Sequence, residues 1–403
     1  METATPRTIV LLGIGHTNAH IVHQWISEPI PDCRLICVSL FPSATYSGML
    51  PGTLAGQFDD EEMRIDLVAL AERAGAEFVG GHANGLDLES GQLLFADREP
   101  ISFDVLSIGV GSKPAGIEQH GDSNVIVAIK PMQTFLTRLD ARIDQATGAK
   151  HHDHDDVINL AIVGGGVAGV EIAMCLRQHV ARTWPNRRFD IRIHHNGDRV
   201  AEGLRPRTVR LIESILRKRH IRVDCNSKVT EVRSDSVVTS DGREHAADAV
   251  VWATGAAPPD VLATLPLEKD SRGFLATTPT LQSKTDRRIF AVGDCGTITV
   301  SPSPKAGVYA VRQSPILWHN IRALLCGEPL KRYRPQSDYL KLINTGERKA
   351  VIEYGWLSWC GGWCWHLKTW IDKRFIAEYQ FEASAGSAEP LALAGARSKG
   401  EQR

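Results

Sequence analysis

The chain has 403 residues, 43% hydrophobic and 23% charged, with a formal net charge of -1. These values describe a soluble globular protein of two or three domains and exclude a global field that would gather nucleic acid or acidic lipid. The opening residues, METATPRT, run straight into a strand-like segment, and no apolar stretch reaches the roughly 18 residues of a spanning helix. A cytoplasmic chain is expected, at most peripheral on the inner face of the cell membrane, with no nucleic-acid partner.

Short β-branched runs alternate with helical stretches, the pattern of an α/β fold with parallel sheets. In chain order, the strand TIVLLG (8–13) meets a glycine turn and a helix at 16–27. RLICVSL (34–40), a helix at 60–74, FDVLSIG (103–109) and a helix at 132–146 follow. The strand INLAIVG (158–164) then meets a second glycine turn and a helix at 168–183. Strands at 189–195 and 221–225 flank a helix at 205–219, and strands at 247–254 and 288–294 precede a helix at 306–325. Strand-turn-helix therefore occurs twice, at 8–27 and 158–183, which reads as a doubled nucleotide-binding half. HHDHDD (151–156) reads as a solvated connection into the second copy, and 383–403, small and polar-rich, as a disordered tail.

The second turn carries Gly164, Gly166 and Gly169 in a complete G-x-G-x-x-G between strand and helix. The first glycine allows a tight turn, the second lets backbone approach a pyrophosphate, and the third lets the helix pack close to the sheet. The first turn has Gly13 and Gly15, but Asn18 stands at the third position. Neither second strand ends in the acid that reads a ribose: Ser39 closes one, and His194 and His195 close the other. NADH versus NADPH stays open on that ground. A third motif, RIFAVGDCGTI, runs a buried strand into Gly293 and Asp294. The eight cysteines are scattered; Cys295 reads as structural, and Cys360 and Cys364, in WCGGWCW, as packing within an aromatic cluster. No metal site is expected.

Two glycine loops and a distant Gly-Asp turn resemble the FAD-dependent pyridine nucleotide-disulfide oxidoreductase superfamily. YSGMLPGTLAGQF (46–58), DVLSIGVGSKPA (104–115), IKPMQTFL (129–136), PKAGVYAVRQ (304–313) and YLKLINTGERKAV (339–351) are similar to its NADH-dehydrogenase-like branch. More narrowly, they resemble the flavoprotein module fused to selenide, water dikinases. The resemblance implies two Rossmann-like domains, one for FAD (1–150 with 280–337) and one for NAD(P)H (157–279), followed by a C-terminal region at 338–382. It implies FAD contacts from Gly13, Gly15, His16, Thr17, Asn18, Ser39, Gly111, Ser112, Lys130, Gly293 and Asp294, with Asn18 or Thr17 facing a phosphate. NAD(P)H contacts are implied for Gly164, Gly166, Gly169 and Gly255. Glu171 is implied beside the nicotinamide, Lys305 and the helix that follows it at the flavin's carbonyl edge, and Tyr309 and Gln313 at a quinone. The disulfide reductases' redox pair, two cysteines with four residues between, is missing after the first strand block.

The expected activity is electron transfer from NAD(P)H through flavin to a quinone-like acceptor. A flavin reductase of sulfur or selenium metabolism and a non-turnover redox sensor are the alternatives. Trp363, Leu367, Trp370, Ile371, Phe375 and Tyr379 recur on one face of a helix, with Lys368, Asp372, Lys373 and Arg374 mostly elsewhere. That face, within 356–381, is expected to meet a membrane surface, the protein's own core, or a second subunit in a homodimer.

Overall fold

The computed structural model describes residues 5–121, 123–149 and 157–381; HHDHDD and the tail at 383–403 lie outside them. The first sheet is fully parallel, with spatial order Ile289–Ala291, Val105–Ile108, Arg7–Leu12, Cys33–Ser39, Glu77–Gly80. Numbered along the chain this is 5-4-1-2-3, the order of dinucleotide-binding folds, which leaves a crevice at the carboxyl ends beside the first strand. Its strands are apolar runs because both faces are covered; Ile9, Val10 and Leu11 are wholly buried.

The second sheet is also fully parallel, Ile126–Ala128, Ala249–Trp252, Val157–Val163, Arg188–His194, Ile221–Asp224; it has the same four-strand core, but its edge strand comes first in the chain instead of last, giving the order 1-5-2-3-4. Its edge strand corrects the expected boundary at 150. Ile126–Ala128 pairs with Ala249–Trp252, so the chain has already entered the second domain by residue 126. Lys113–Pro114 and Ala256–Ala257 pair antiparallel, marking the outward and returning crossings between the domains. The second domain therefore returns at 256 rather than 279.

The segment expected as one helix at 60–74 is a one-turn 3₁₀ helix at Glu61–Met63, a short strand at Arg64–Asp66 and a helix at Leu67–Arg73. Asp66 caps that helix, its carboxylate accepting from the Val68 and Ala69 N–H groups. The C-terminal region is a three-stranded antiparallel sheet, Lys341–Asn344, Ala350–Tyr354 and Leu357–Gly361, followed by the helix Gly362–Ala377. Trp359 and Cys360 lie on the last of these strands, and the aromatic helix starts at Gly362. The helix also lies differently from its expected face. Cys364, Lys368, Asp372 and Ile376, four residues apart, are buried, while Trp363 and Trp370 face solvent. No helix among the described residues is long and apolar enough to cross a membrane.

Candidate dinucleotide sites and the network between them

Both glycine loops hand their strand to a helix whose N-terminus has no side-chain cap, at Gly15 and at Gly166. The first backbone N–H groups of each helix are thus left for a ligand, and an anion is the matching one. In the second loop Gly164 has φ +116, and a Cβ there would lie 2.4 Å from the Ala253 carbonyl oxygen. Gly166 and Gly255 border open space, with nothing within 4 Å of such a Cβ. At Gly169 a Cβ would lie 1.9 Å from the Gly164 carbonyl oxygen, so the helix reaches its strand only because that residue is glycine.

In the first loop Gly13 has φ +80 and its Cβ would meet the Gly109–Val110 backbone at 2.8–2.9 Å. Asn18 occupies the position of Gly169 and solves the same contact by hydrogen bonding. Its Nδ2 donates to the Gly13 carbonyl at 2.8 Å and the Ser107 carbonyl at 3.2 Å, and its Oδ1 accepts from the Ser107 hydroxyl at 2.7 Å. Asn18 is fully buried and faces the sheet, which corrects its expected contact with a phosphate. Gly109 makes the room: a Cβ there would lie 2.7 Å from Asn18 Nδ2. Thr17 turns inward too, donating to the Ala310 carbonyl at 2.9 Å.

Three expected residues from distant segments converge beside this loop. The Ser112 hydroxyl donates to Asp294 Oδ2 at 2.7 Å, and Lys130 Nζ donates to the Ser112 hydroxyl at 2.8 Å and lies 3.4 Å from Asp294. Gly293, at φ +64, sets the turn, and Gly111, at φ +75, borders open space. Ser39 is buried at its strand end, its hydroxyl 3.4 Å from the Phe41 N–H. His16 Nε2 is buried without a hydrogen-bond partner, and burial lowers the imidazole's pKa to about 4, against the pull of Asp294. A neutral, orphaned ring nitrogen beside an uncapped helix is what a bound cofactor would satisfy.

Three other expected residues have protein partners. Gln313 is buried and its Oε1 accepts from the Gly293 N–H at 2.7 Å, which braces the Gly-Asp turn. Lys305 donates to the Gly296 carbonyl at 2.6 Å and the Thr297 hydroxyl at 2.8 Å, and lies 4.2 Å from the Phe274 ring centroid. Tyr309 is packed edge-on against Tyr339, with centroids 5.8 Å apart. Cys295 is wholly buried and burial pushes its thiol up to about 11, so it stays in the packing.

Glu171 lies where the two domains and the C-terminal region meet. Its Oε1 accepts from the Asn344 N–H at 2.6 Å. Burial pushes its carboxyl up to about 7, opposed by the charge of Lys368. The Asn344 amide pairs with Gln57, whose Oε1 also accepts from Trp365 Nε1 at 2.7 Å. Lys368 Nζ donates to Asp372 Oδ2 and to the Gly48 carbonyl, each at 2.7 Å, and the Tyr46 hydroxyl donates to Asp372 Oδ1 at 3.1 Å. Tyr46 stacks on Phe375 at 4.6 Å and meets His16 edge-on at 5.5 Å. Sequence reasoning missed Lys368, Asp372 and Tyr46. An i,i+4 Lys–Asp pair on an aromatic helix carries the signature of a solvated face, and only the periodicity of Cys364 and Ile376 pointed inward.

Two parallel sheets, each with an uncapped glycine-loop helix at its crevice, define a protein built to hold two dinucleotides. The chain belongs to the pyridine nucleotide-disulphide oxidoreductase family, whose model matches residues 33–320. It is 26% identical over 349 residues to the NADH dehydrogenase-like protein YutJ of Bacillus subtilis, covering 85% of this chain and 91% of that one. It is 26% identical over 285 residues to the type II NADH:quinone oxidoreductase of Haemophilus influenzae, covering 64% of each. The fold matches the sulfide:quinone oxidoreductase of Aquifex aeolicus with a TM-score of 0.77 at 18% identity, covering 93% of this chain and 91% of that one. It matches NDH2 of Plasmodium falciparum in complex with NADH with a TM-score of 0.75 at 12% identity, covering 93% and 98%.

Proposed function

We propose that this chain is an FAD-dependent dehydrogenase that takes electrons from NAD(P)H and delivers them to a quinone-like acceptor. The observation that carries the reading is the repeated loop, with uncapped helix N-termini at Gly15 and Gly166, each following the central strand of a five-stranded parallel sheet. Gly13, Gly15, Ser39, Gly111, Ser112, Lys130, Gly293 and Asp294 surround the first crevice and would hold FAD. Gly164, Gly166, Gly169 and Gly255 would hold NAD(P)H. Bound flavin would supply hydride acceptance and onward electron transfer. The acceptor is inferred from the relatives, which are named for NADH and quinone chemistry.

Converting NAD(P)H and a quinone to NAD(P)⁺ and a quinol consumes one proton beyond the hydride. Glu171, with its pKa raised by burial to about 7, gives or takes a proton near neutral pH at the junction of the three parts of the chain. Anaerobic titration of the purified protein with NADH and NADPH tests the reading. Flavin bleaching by at least one nucleotide, reversed by a soluble quinone, is expected; absence of bleaching with both defeats it.

The same proposal places the C-terminal region at a membrane surface, where a quinone would be collected. Trp356, Trp359, Trp363 and Trp370 are all more than half exposed, Trp356 at 83%, and Lys373 and Arg374 lie on the same helix as the last two. Replacing all four tryptophans by serine is expected to lower binding to anionic liposomes at least tenfold with flavin content unchanged. Undiminished liposome binding, or a dimer that dissociates in the variant, would assign the patch to a contact between two copies.

A further inference from the structure

A polar cluster at the carboxyl end of the second sheet's outer strands, next to the strand end where a nucleotide's ribose would be read, has the chemistry of a metal centre. His194 ends the strand Arg188–His194, and the parallel register sets it directly opposite Asp224 at the end of Ile221–Asp224. A three-stranded antiparallel sheet, Val229–Val232, Ser236–Thr239 and Glu244–Ala246, brings His245 over the same edge. The two imidazole centroids lie 4.8 Å apart, and His194 Nδ1 lies 3.9 Å from Asp224 Oδ2. One ring nitrogen of each histidine and one carboxylate oxygen of Asp224 all fall within 4.8 Å of one another.

We propose that His194, Asp224 and His245 bind a divalent transition-metal ion of the zinc class. Two observations favour an ion over a simple polar contact. The His194 side chain is wholly buried, yet its Nε2 has no hydrogen-bond partner, an expense that a ligand would remove. The partners a ligating group needs are also in place. The Ser227 hydroxyl lies 3.2 Å from His194 Nδ1, and Arg192 Nη1 donates to Asp224 Oδ2 at 2.7 Å. Two imidazoles and a carboxylate are a borderline donor set that favours zinc-like ions over magnesium or calcium.

Geometry and charge both permit it. Tetrahedral zinc bonds of ~2.1 Å set ligand atoms about 3.4 Å apart, so the widest separation, 4.8 Å, must close by about 1.4 Å. Arg192 offsets the charge of Asp224, and Arg243 is paired with Asp241 at 3.2 Å, so no uncompensated cation faces the ion. Asp224, Ser227 and His245 line a cavity of about 300 Å³ that opens to solvent, giving an entry path and room for water at a fourth position. The ion would clasp the small antiparallel sheet to the edge of the parallel one.

The test is titration of the chelator-treated full chain with Co²⁺, followed by displacement with Zn²⁺. One equivalent per chain is expected, and H245A and D224N should each weaken binding at least tenfold. H245C should add a thiolate-to-cobalt charge-transfer absorption, a signature that only ligation from position 245 produces. H151A/H152A/H154A, which removes the histidines of HHDHDD, should leave both affinity and stoichiometry intact. Loss of binding in that triple variant with retention in H245A and D224N would overturn the proposal, as would H245C without a new band. Circular dichroism and flavin content establish folding, and should H245A misfold, D224N and H245C decide.

Discussion

Gly169→Ala is expected to give a folded protein that retains flavin but binds NAD(P)H ten- to a hundredfold more weakly. The added methyl would sit 1.9 Å from the Gly164 carbonyl oxygen. Ordinary carbon–oxygen contact needs about 3.3 Å, so the helix must back away from its strand by roughly 1.4 Å. Gly164 cannot yield, because its own φ of +116 and its approach to Ala253 already fix the turn. The retreat carries the uncapped N–H groups of Val167 and its neighbours away from the phosphate position. Charge-assisted hydrogen bonds of this kind contribute about 1.5–3 kcal/mol each, which sets the size of the loss. Overpacking adds about 1–3 kcal/mol of lost stability. Flavin survives because the first crevice belongs to a different sheet. Anaerobic bleaching titrations measure the effect, and wild-type affinity in the variant would show that this helix does not hold the nucleotide.

The first loop shows why such a position is hard to read from sequence. At Asn18 the third glycine is replaced, yet the contact with the first glycine's carbonyl is kept, at 2.8 Å, through a side-chain amide. The compensation lies at Gly109, whose missing Cβ makes room for that amide, some 90 residues downstream. Motif spacing reports only residues adjacent in the chain, so a substitution compensated from another strand looks like a broken site. Alternating strands and helices, by contrast, were legible, because burial on both faces imposes long apolar runs and fixed periods. The crossing at 113–114 and 256–257 was not: two-residue strands have no periodicity, and Ile126–Ala128 reads equally well in either sheet. Gln313 and Lys305 have protein partners that their spacing does not indicate. One braces Gly293 and the other binds Gly296. Which ligand a polar side chain serves is settled by the tertiary neighbour it meets, and the one-dimensional pattern holds no record of that.

Lys368→Met is expected to be the most destabilising single change, at about 3–5 kcal/mol, because it strips the partner from a buried carboxylate. Lys368 and Asp372 are 7% and 5% exposed, and Asp372 would keep only the Tyr46 hydroxyl. Burial disfavours the Lys368 cation, but Asp372 and Glu171 outweigh it and hold its pKa above the ordinary lysine value. Lys368→Met with Asp372→Leu should recover most of the loss, since an apolar pair needs no solvation. The change also reaches Glu171 through space. Its carboxyl is raised from 4.5 to about 7 by burial, with Lys368 opposing the rise. A carboxyl raised on folding binds its proton more tightly in the folded chain, so its stabilising contribution is full below the unfolded value. That contribution is lost as pH rises through the window from 4.5 to about 7. Without Lys368 the folded pKa moves higher and the window extends upward, so more of the chain carries a neutral Glu171 at neutral pH. In Lys368→Met the inflection of NAD(P)H:quinone turnover should therefore shift to higher pH, and in Glu171→Gln it should vanish. Denaturant unfolding with and without the Asp372→Leu partner measures the first effect, and the pH–rate profile measures the second. A profile that keeps its inflection in Glu171→Gln would remove that carboxyl from the proton's route, whatever the stability data show.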